Sequence, residues 1–298
     1  MYLQHFGFER LPFESRSSGA VFVDLPEHRD ALNTVLFGLR SGEGFVKIVG
    51  EVGTGKTVLC RSLLDRLGDE FTVVDLPNPA MRPHDLIRAI AEALLMPLPA
   101  KTGIHDLRKY THEILLNIAG EGGRVAIFVD EAQTMPPNTL EELRLLSNLE
   151  NERGRLSQAV LFGQPELDVN LSHYSMRQLN QRIAFGARLT PVGRKACHYY
   201  IQKRMAQSGA STRVVFNPGA IDRIHDASGG ILRLINTLGN KSLIAAFTDG
   251  DFQVSRRHVA RAVADTEGLR GWKMRPLFNR RRLARAPNKR AESSWNQI

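Results

Sequence analysis

Residues 45–57 read Phe45-Val46-Lys47-Ile48-Val49-Gly50-Glu51-Val52-Gly53-Thr54-Gly55-Lys56-Thr57. A short apolar run ends at Gly50, and Gly50 to Thr57 match the pattern G-x-x-x-x-G-K-[ST]. Helical periodicity takes over from Lys56 to about Leu67. Glycines let a backbone turn tightly and aim successive N–H groups at phosphate oxygens. The helix that follows presents its positive end to the same anion. Gly50, Glu51, Val52, Gly53, Thr54, Gly55, Lys56, Thr57 and Val58 are therefore the candidate nucleotide-binding residues. Lys56 is placed to reach the β- and γ-phosphates, and Thr57 to offer a hydroxyl to Mg²⁺.

Outward from this loop, strands and helices alternate. Residues 72–76 (TVVDL) read as a strand stopped by Pro77-Asn78-Pro79, and helical patterns follow at 84–95 and 105–119. Residues 125–129 (VAIFV) are continuously apolar, as expected of a strand buried on both faces. A helix over 138–151, a strand over 158–163, a short helix near 175–181 and a fifth strand over 183–189 complete the series. Such alternation predicts βαβ units and a mostly parallel sheet with helices on both faces. After Pro191 only helices are expected, near 193–208, 218–228, 231–247 and 255–266. This division gives an α/β domain over 1–190, with an N-terminal segment 1–44, then a helical domain over 191–267 and a tail over 268–298.

The 125–129 strand runs into Asp130-Glu131. In open α/β sheets ligands bind outside the carboxyl ends of the strands, so this acidic pair is expected beside the glycine loop. Asp130 is the candidate partner of Thr57 in holding Mg²⁺, and Glu131 the candidate base for an attacking water. An acid capping the next helix is the alternative reading of the pair. Gln164 ends the fourth predicted strand, where it would contact a γ-phosphate or the water, or else simply precede the Pro165 turn. Arg182 is the first candidate for a cation that meets developing phosphate charge, and Arg177 the second. Arg233 falls in the first helical turn after Gly229-Gly230. A cation there opposes the helix dipole at a cost of about 0.3–1 kcal/mol, which points to an anion for it to meet.

Composition bounds the rest. Of 298 residues, 42% are apolar and 24% charged, which excludes wholesale disorder, collagen and coiled coil. No apolar run is long enough for a spanning helix, and the N-terminus lacks the pattern of a secretory signal. Cys60 and Cys197 cannot form a disulfide scaffold and fit a reducing cytoplasm. Residues 268–298 hold nine basic residues against Glu292, so the tail carries +8 of the formal +9. With Pro276, Pro287 and few aliphatic residues, this tail is expected to be disordered, and its partner would be nucleic acid or anionic lipid, unless it merely solubilises the chain. The cysteines and histidines do not group at metal-binding spacings.

Taken in order, MYLQHFGFERLPF, SGEGFVKIVGEVGTGKT, VDEAQ, LRLLSNLE, LFGQPEL, LNQRI and SGGILRLIN resemble the general secretion pathway protein A (ExeA) family of AAA+ ATPases. The likeness covers roughly residues 1–267 and is stronger to the branch that serves mannose-sensitive haemagglutinin (MSHA) type IV pilus biogenesis. The resemblance implies a P-loop NTPase with strand order 5-1-4-3-2 and a small all-helical lid. It implies Mg-dependent ATP hydrolysis, with Gln164 as sensor 1, Arg233 as sensor 2 and Arg182 as a finger acting across a subunit interface. The N-terminal segment would help to enclose adenine. The protein would be cytoplasmic, peripheral at the inner membrane, and assembled as a ring or filament with pilus or secretion proteins. Members of the family continue into a membrane helix and a peptidoglycan-binding domain, which this sequence does not contain; that favours the pilus branch. Leu232 stands where the family has proline, and Asn180 replaces an arginine, which leaves Arg182 the better-supported finger. The region ESRSSGAVFVDLP lacks the family's proline- and aromatic-rich turn. A DNA-associated regulator of the TniB/TnsC transposition type shares this core and is the alternative.

Overall fold

The computed structural model describes residues 2–14, 22–94, 98–99, 101–152, 154–209 and 214–267. The basic tail 268–298 and part of the ESRSSGAVFVDLP stretch lie outside the described residues. Five strands form the central sheet: β1 (Phe45–Gly50), β2 (Thr72–Leu76), β3 (Val125–Val129), β4 (Ser157–Gly163) and β5 (Ile183–Leu189). All neighbours pair in parallel, in the order β2-β3-β4-β1-β5. This is the 5-1-4-3-2 order that the resemblance implies.

Two apolar layers sandwich the sheet, and the period of two in β3 serves both. Val125, Ile127 and Val129 face a core built with helices α4 (Pro83–Ala93), α5 (Ile104–Gly120), α6 (Pro137–Leu146), α7 (Pro165–Ser172) and α8 (Arg177–Asn180). Ala126 and Phe128 face the other core, with α2 (Pro26–Arg40) and α3 (Lys56–Leu67). The Phe128 and Phe162 rings stack there with centroids 5.9 Å apart, both fully buried. Each such side chain contributes roughly 1.5–3 kcal/mol through the area it removes from water.

The third core is helical: α9 (Arg194–Gln207), α10 (Pro218–Ser228), α11 (Leu232–Thr248) and α12 (Arg256–Ala264). It also takes in Phe6, Phe8, Phe13, Val23 and Leu25, including the short helix α1 (Tyr2–Phe6). Of the N-terminal segment 1–44, the part before α2 thus packs with the helical core, while α2 itself packs on the sheet. Arg204 fastens the part before α2, with Nε donating to the Pro12 carbonyl at 2.6 Å and Nη2 to the Glu14 carbonyl at 3.0 Å. The Glu9 amide adds a bond of 2.8 Å to the Ser208 carbonyl.

Several elements differ from expectation. The helix expected over 138–151 stops at Leu146, and a two-residue hairpin, Glu150–Asn151 against Gly154–Arg155, follows. Gly154, which opens its second strand, adopts φ +118°, which a residue with a Cβ resists. The helix near 175–181 is a single 3₁₀ turn, Tyr174–Met176, followed by α8. Helices α2 and α7 were not foreseen, although each begins with proline in its first turn, where the missing N–H costs nothing. Among the described residues no helix is long and apolar enough to cross a membrane.

Candidate nucleotide site

Because β4 lies between β1 and β3, the chain leaving each of these strands meets at one edge of the sheet. That edge holds the glycine loop after β1, Asp130-Glu131 after β3 and Gln164 after β4. Gly50 is close-packed: a Cβ there would lie 2.7 Å from Thr54 Oγ1 and 2.9 Å from Leu189 Cβ. Gly53 and Gly55 take φ of +84° and +103°, so the loop folds back on itself before α3 begins at Lys56. Thr54 Oγ1 donates to the Glu51 carbonyl at 2.8 Å and closes the turn from inside.

Lys56 is 5% exposed, and its Nζ donates to the carbonyls of Gly50 at 2.7 Å and Glu51 at 3.3 Å. Burial pushes its pKa down, opposed by the charges of Glu131, Asp130 and Glu51. Thr57 Oγ1 donates to Asp130 Oδ2 at 3.1 Å, and Asp130 Oδ1 accepts from the Glu131 amide at 2.9 Å. A hydroxyl and a carboxylate side by side are the hard oxygen donors that Mg²⁺ selects. Among the described residues no group of three or more His, Cys, Asp or Glu could hold a metal alone.

Glu131 is the one non-glycine residue at positive φ among those described, at φ 52° and ψ 38°. That conformation costs an L-residue roughly 1–2 kcal/mol. Two amides hold the carboxylate in place: Gln133 Nε2 donates to Glu131 Oε2 at 2.6 Å, and Gln164 Nε2 to the same oxygen at 2.9 Å. Burial pushes the Glu131 carboxyl up, but the Gln164 and Gln133 donors, with Lys56 and Arg233 nearby, outweigh it. The net result is a carboxyl held below the usual range, and hence ionised. Gln133 in turn accepts the Gln164 backbone N–H through Oε1 at 3.0 Å.

A cleft of about 460 Å³ opens over these groups. Lys56, Thr57, Gly53, Gly55, Glu131 and Arg233 line its polar end, with Val52 and Val58 beside them. The other wall carries Phe22, Val23, Leu25 and Leu232 as apolar surface, and Tyr200, Arg204 and Asn236 as polar contacts. Arg233 is in the first turn of α11, as expected, and its N–H donates to the Gly53 carbonyl at 3.1 Å. The helical domain therefore rests directly on the loop.

The structure gathers Gly53, Gly55, Lys56, Thr57, Asp130, Glu131, Gln164 and Arg233 into one site; Gly50, Glu51 and Thr54 shape its loop through their backbone. It does not bring Arg177 or Arg182 there, since neither lines the cleft. Arg177 lies over the exposed Tyr174 ring, 5.4 Å from its centroid, and the charge of Arg182 acts on Glu141 of α6. Sequence reading missed Gln133, Tyr200, Arg204 and Asn236. Only Gln133 carried a local signal, two residues beyond Glu131.

Residues 39–171 match the model of a family described as AAA domain. Over 270 residues the chain is 37% identical to General secretion pathway protein A of Aeromonas hydrophila, covering 91% of this chain. It spans about half, 49%, of that relative's length. Among solved structures, Cdc6p from Pyrobaculum aerophilum superposes with a TM-score of 0.66 at 17% identity, over 85% of this chain and 69% of that one. The Aeropyrum pernix ORC2 protein gives 0.65 at 18%, over 87% and 72%. At such identities these two likenesses concern the fold alone. The fold is that of the AAA+ P-loop ATPases, an architecture that binds nucleotide.

Proposed function

We propose that the chain binds ATP with Mg²⁺ and hydrolyses it, and that this cycle drives assembly of a type II-like secretion machine or an MSHA-like type IV pilus. The observation that carries the reading is the Glu131 carboxylate, ionised and oriented by two glutamine amides, in the same cleft as Lys56 and Thr57. Lys56 and the loop amides bind the phosphates. Mg²⁺, held by Thr57 Oγ1 and the Asp130 carboxylate, would neutralise charge on the phosphate oxygens. Glu131 takes a proton from the attacking water, and Gln164 holds Glu131 and faces the γ-phosphate. Arg233 joins the helical domain to the same phosphate end. Arg182, with Arg177 as second candidate, acts on a neighbouring subunit's nucleotide, in keeping with their place outside the cleft. A ring or filament of copies is the assembly this requires. Partner proteins at the inner membrane, with the chain peripheral on its cytoplasmic side, are inferred from the secretion relative.

The test is steady-state ATP hydrolysis with Mg²⁺, alongside nucleotide binding. Glu131→Gln is expected to slow turnover by about 10²–10⁴-fold, the usual contribution of a general base, with ATP binding retained. Lys56→Ala is expected to weaken both. Hydrolysis at the wild-type rate by Glu131→Gln would remove the base from the mechanism. Deleting the gene in its host, scored for surface pili and for secreted enzymes, tests the cellular part.

A further inference from the structure

His28 stands in the first turn of α2 and is 3% exposed. It belongs to no motif of the sequence, and the reaction as described does not use it. Its Nε2 lies 2.8 Å from the Thr54 carbonyl oxygen, within the glycine loop. A carbonyl can only accept, so Nε2 carries the proton. Burial pushes the ring's pKa down, against the opposing effects of the Thr54 bond and Glu27, which favours the neutral form. Nδ1 is then an acceptor, and it has no hydrogen-bond partner among the described residues. The ring also lies against the loop itself: a Cβ on Gly55 would come within 2.7 Å of Nε2. A buried polar ring with one unmatched nitrogen is a poor choice for packing alone.

The geometry of the peptide unit gives the ring a task. The Thr54 carbonyl and the Gly55 N–H belong to one planar trans peptide, so they point in opposite directions. Holding the oxygen fixes where the N–H aims. Gly55 sits at φ +103°, where a chain without a Cβ has wide freedom, and it caps α3, whose N-terminal amides face the cleft. We infer that His28 is a positioning residue, whose Nε2–H clamps the Thr54–Gly55 peptide so that the Gly55 N–H is pre-aimed at nucleotide phosphate. This inference rests on the nucleotide site proposed above.

A clamp of this kind acts on bound substrate and transition state alike, so its loss is expected to raise KM with little change in kcat. The experiment measures Kd for a fluorescent ATP analogue, KM and kcat for ATP, and the melting temperature without nucleotide. His28→Leu keeps bulk and removes the donor. His28→Gln offers an amide nitrogen at the same reach as Nε2. His28→Leu is expected to raise Kd and KM about tenfold, the size of one hydrogen bond to a loop carbonyl, and His28→Gln to recover most of that loss. If His28→Leu binds like wild type, or if His28→Gln is as weak as His28→Leu while melting normally, the clamp is overturned. Lys56→Ala runs beside them. Unchanged binding in Lys56→Ala would overturn the nucleotide site itself. Binding lost there but kept in His28→Leu overturns the clamp alone.

Discussion

Replacing Gln164 tests whether the carboxylate of Glu131 depends on the amides around it. Gln164→Met keeps length and removes the donor 2.9 Å from Glu131 Oε2; Gln164→Glu puts a second carboxylate in its place. A hydrogen bond to a charged group contributes about 1.5–3 kcal/mol. The same oxygen keeps Gln133 Nε2 at 2.6 Å, so the lower end applies to Gln164→Met. About 1.5 kcal/mol corresponds to a roughly tenfold fall in kcat. The sign of the pH effect follows from the depressed carboxyl. Glu131 works as a base only when ionised, and its donors extend that form to lower pH. Losing one donor raises its pKa, so activity fails at a higher pH as acid is added. Gln164→Glu shifts the acid limb further, because two close carboxylates resist joint ionisation. The assay is kcat at saturating Mg-ATP across the acid limb, for wild type, Gln164→Met and Gln164→Glu. A Gln164→Met enzyme within about twofold of wild type would refute the positioning; the factor is small beside the tenfold expected from one such bond. So would an acid limb that stays put in Gln164→Glu.

Two further outcomes are expected. Specific ATPase activity should rise with protein concentration and collapse in Arg182→Ala, since a finger acting in trans contributes about 10³–10⁵ in rate. Flat activity that ignores Arg182 would mean that one subunit holds a complete site. Gly230→Ala should destabilise the helical domain: Gly230 has φ +80°, and a Cβ there would collide with the Val192 carbonyl at the junction with the α/β domain. A loss of about 1–2 kcal/mol is expected from the backbone term alone, or roughly 2–8 °C in a thermal melt, and the collision with Val192 adds to it. An unchanged melting curve would mean that the junction yields freely.

The buried strand β3 was legible because both its faces are covered, so all five residues had to be apolar. The site's loop and acids were legible because each follows a strand directly, and parallel topology carries every such residue to one edge. Gln164 was foreseen for the same reason. Gln133 was not, because its reach to Glu131 depends on the 3₁₀ turn Ala132–Thr134, which follows the left-handed backbone of Glu131 itself. His28 was hidden for a different reason. It is 26 residues before Thr54, and only the docking of α2 beside α3 brings them together. Phe6, Phe8 and Phe13 have no helical or strand period, so no pattern in the sequence announces that they fill the helical core.

The segment before α2 bears on how the cleft is closed. The cleft's far wall packs into the helical core, although Leu25 leads straight into α2 on the sheet. Glu14, Phe22, Val23 and Leu25 line the cleft, while Arg204 holds the backbone at Pro12 and Glu14 from α9. Tyr200, also on α9, donates to Asn236 Oδ1 of α11 at 2.8 Å. Helix α11 in turn meets the glycine loop, where Arg233 N–H bonds the Gly53 carbonyl and a Cβ on Gly53 would come within 2.7 Å of Arg233 Cβ. The segment, α9, α11 and the loop thus form one contiguous set of contacts around the cleft. A packed set of this kind moves between discrete arrangements more readily than it deforms. A phosphate drawing on the loop amides would act on Gly53, and through Gly53 on α11. The N-terminal wall would be carried along by Arg204. On the function proposed above, contact between Gly53 and Arg233 would be where nucleotide state passes to the helical domain, and a Cβ on Gly53 would crowd Arg233 and Ile231 there.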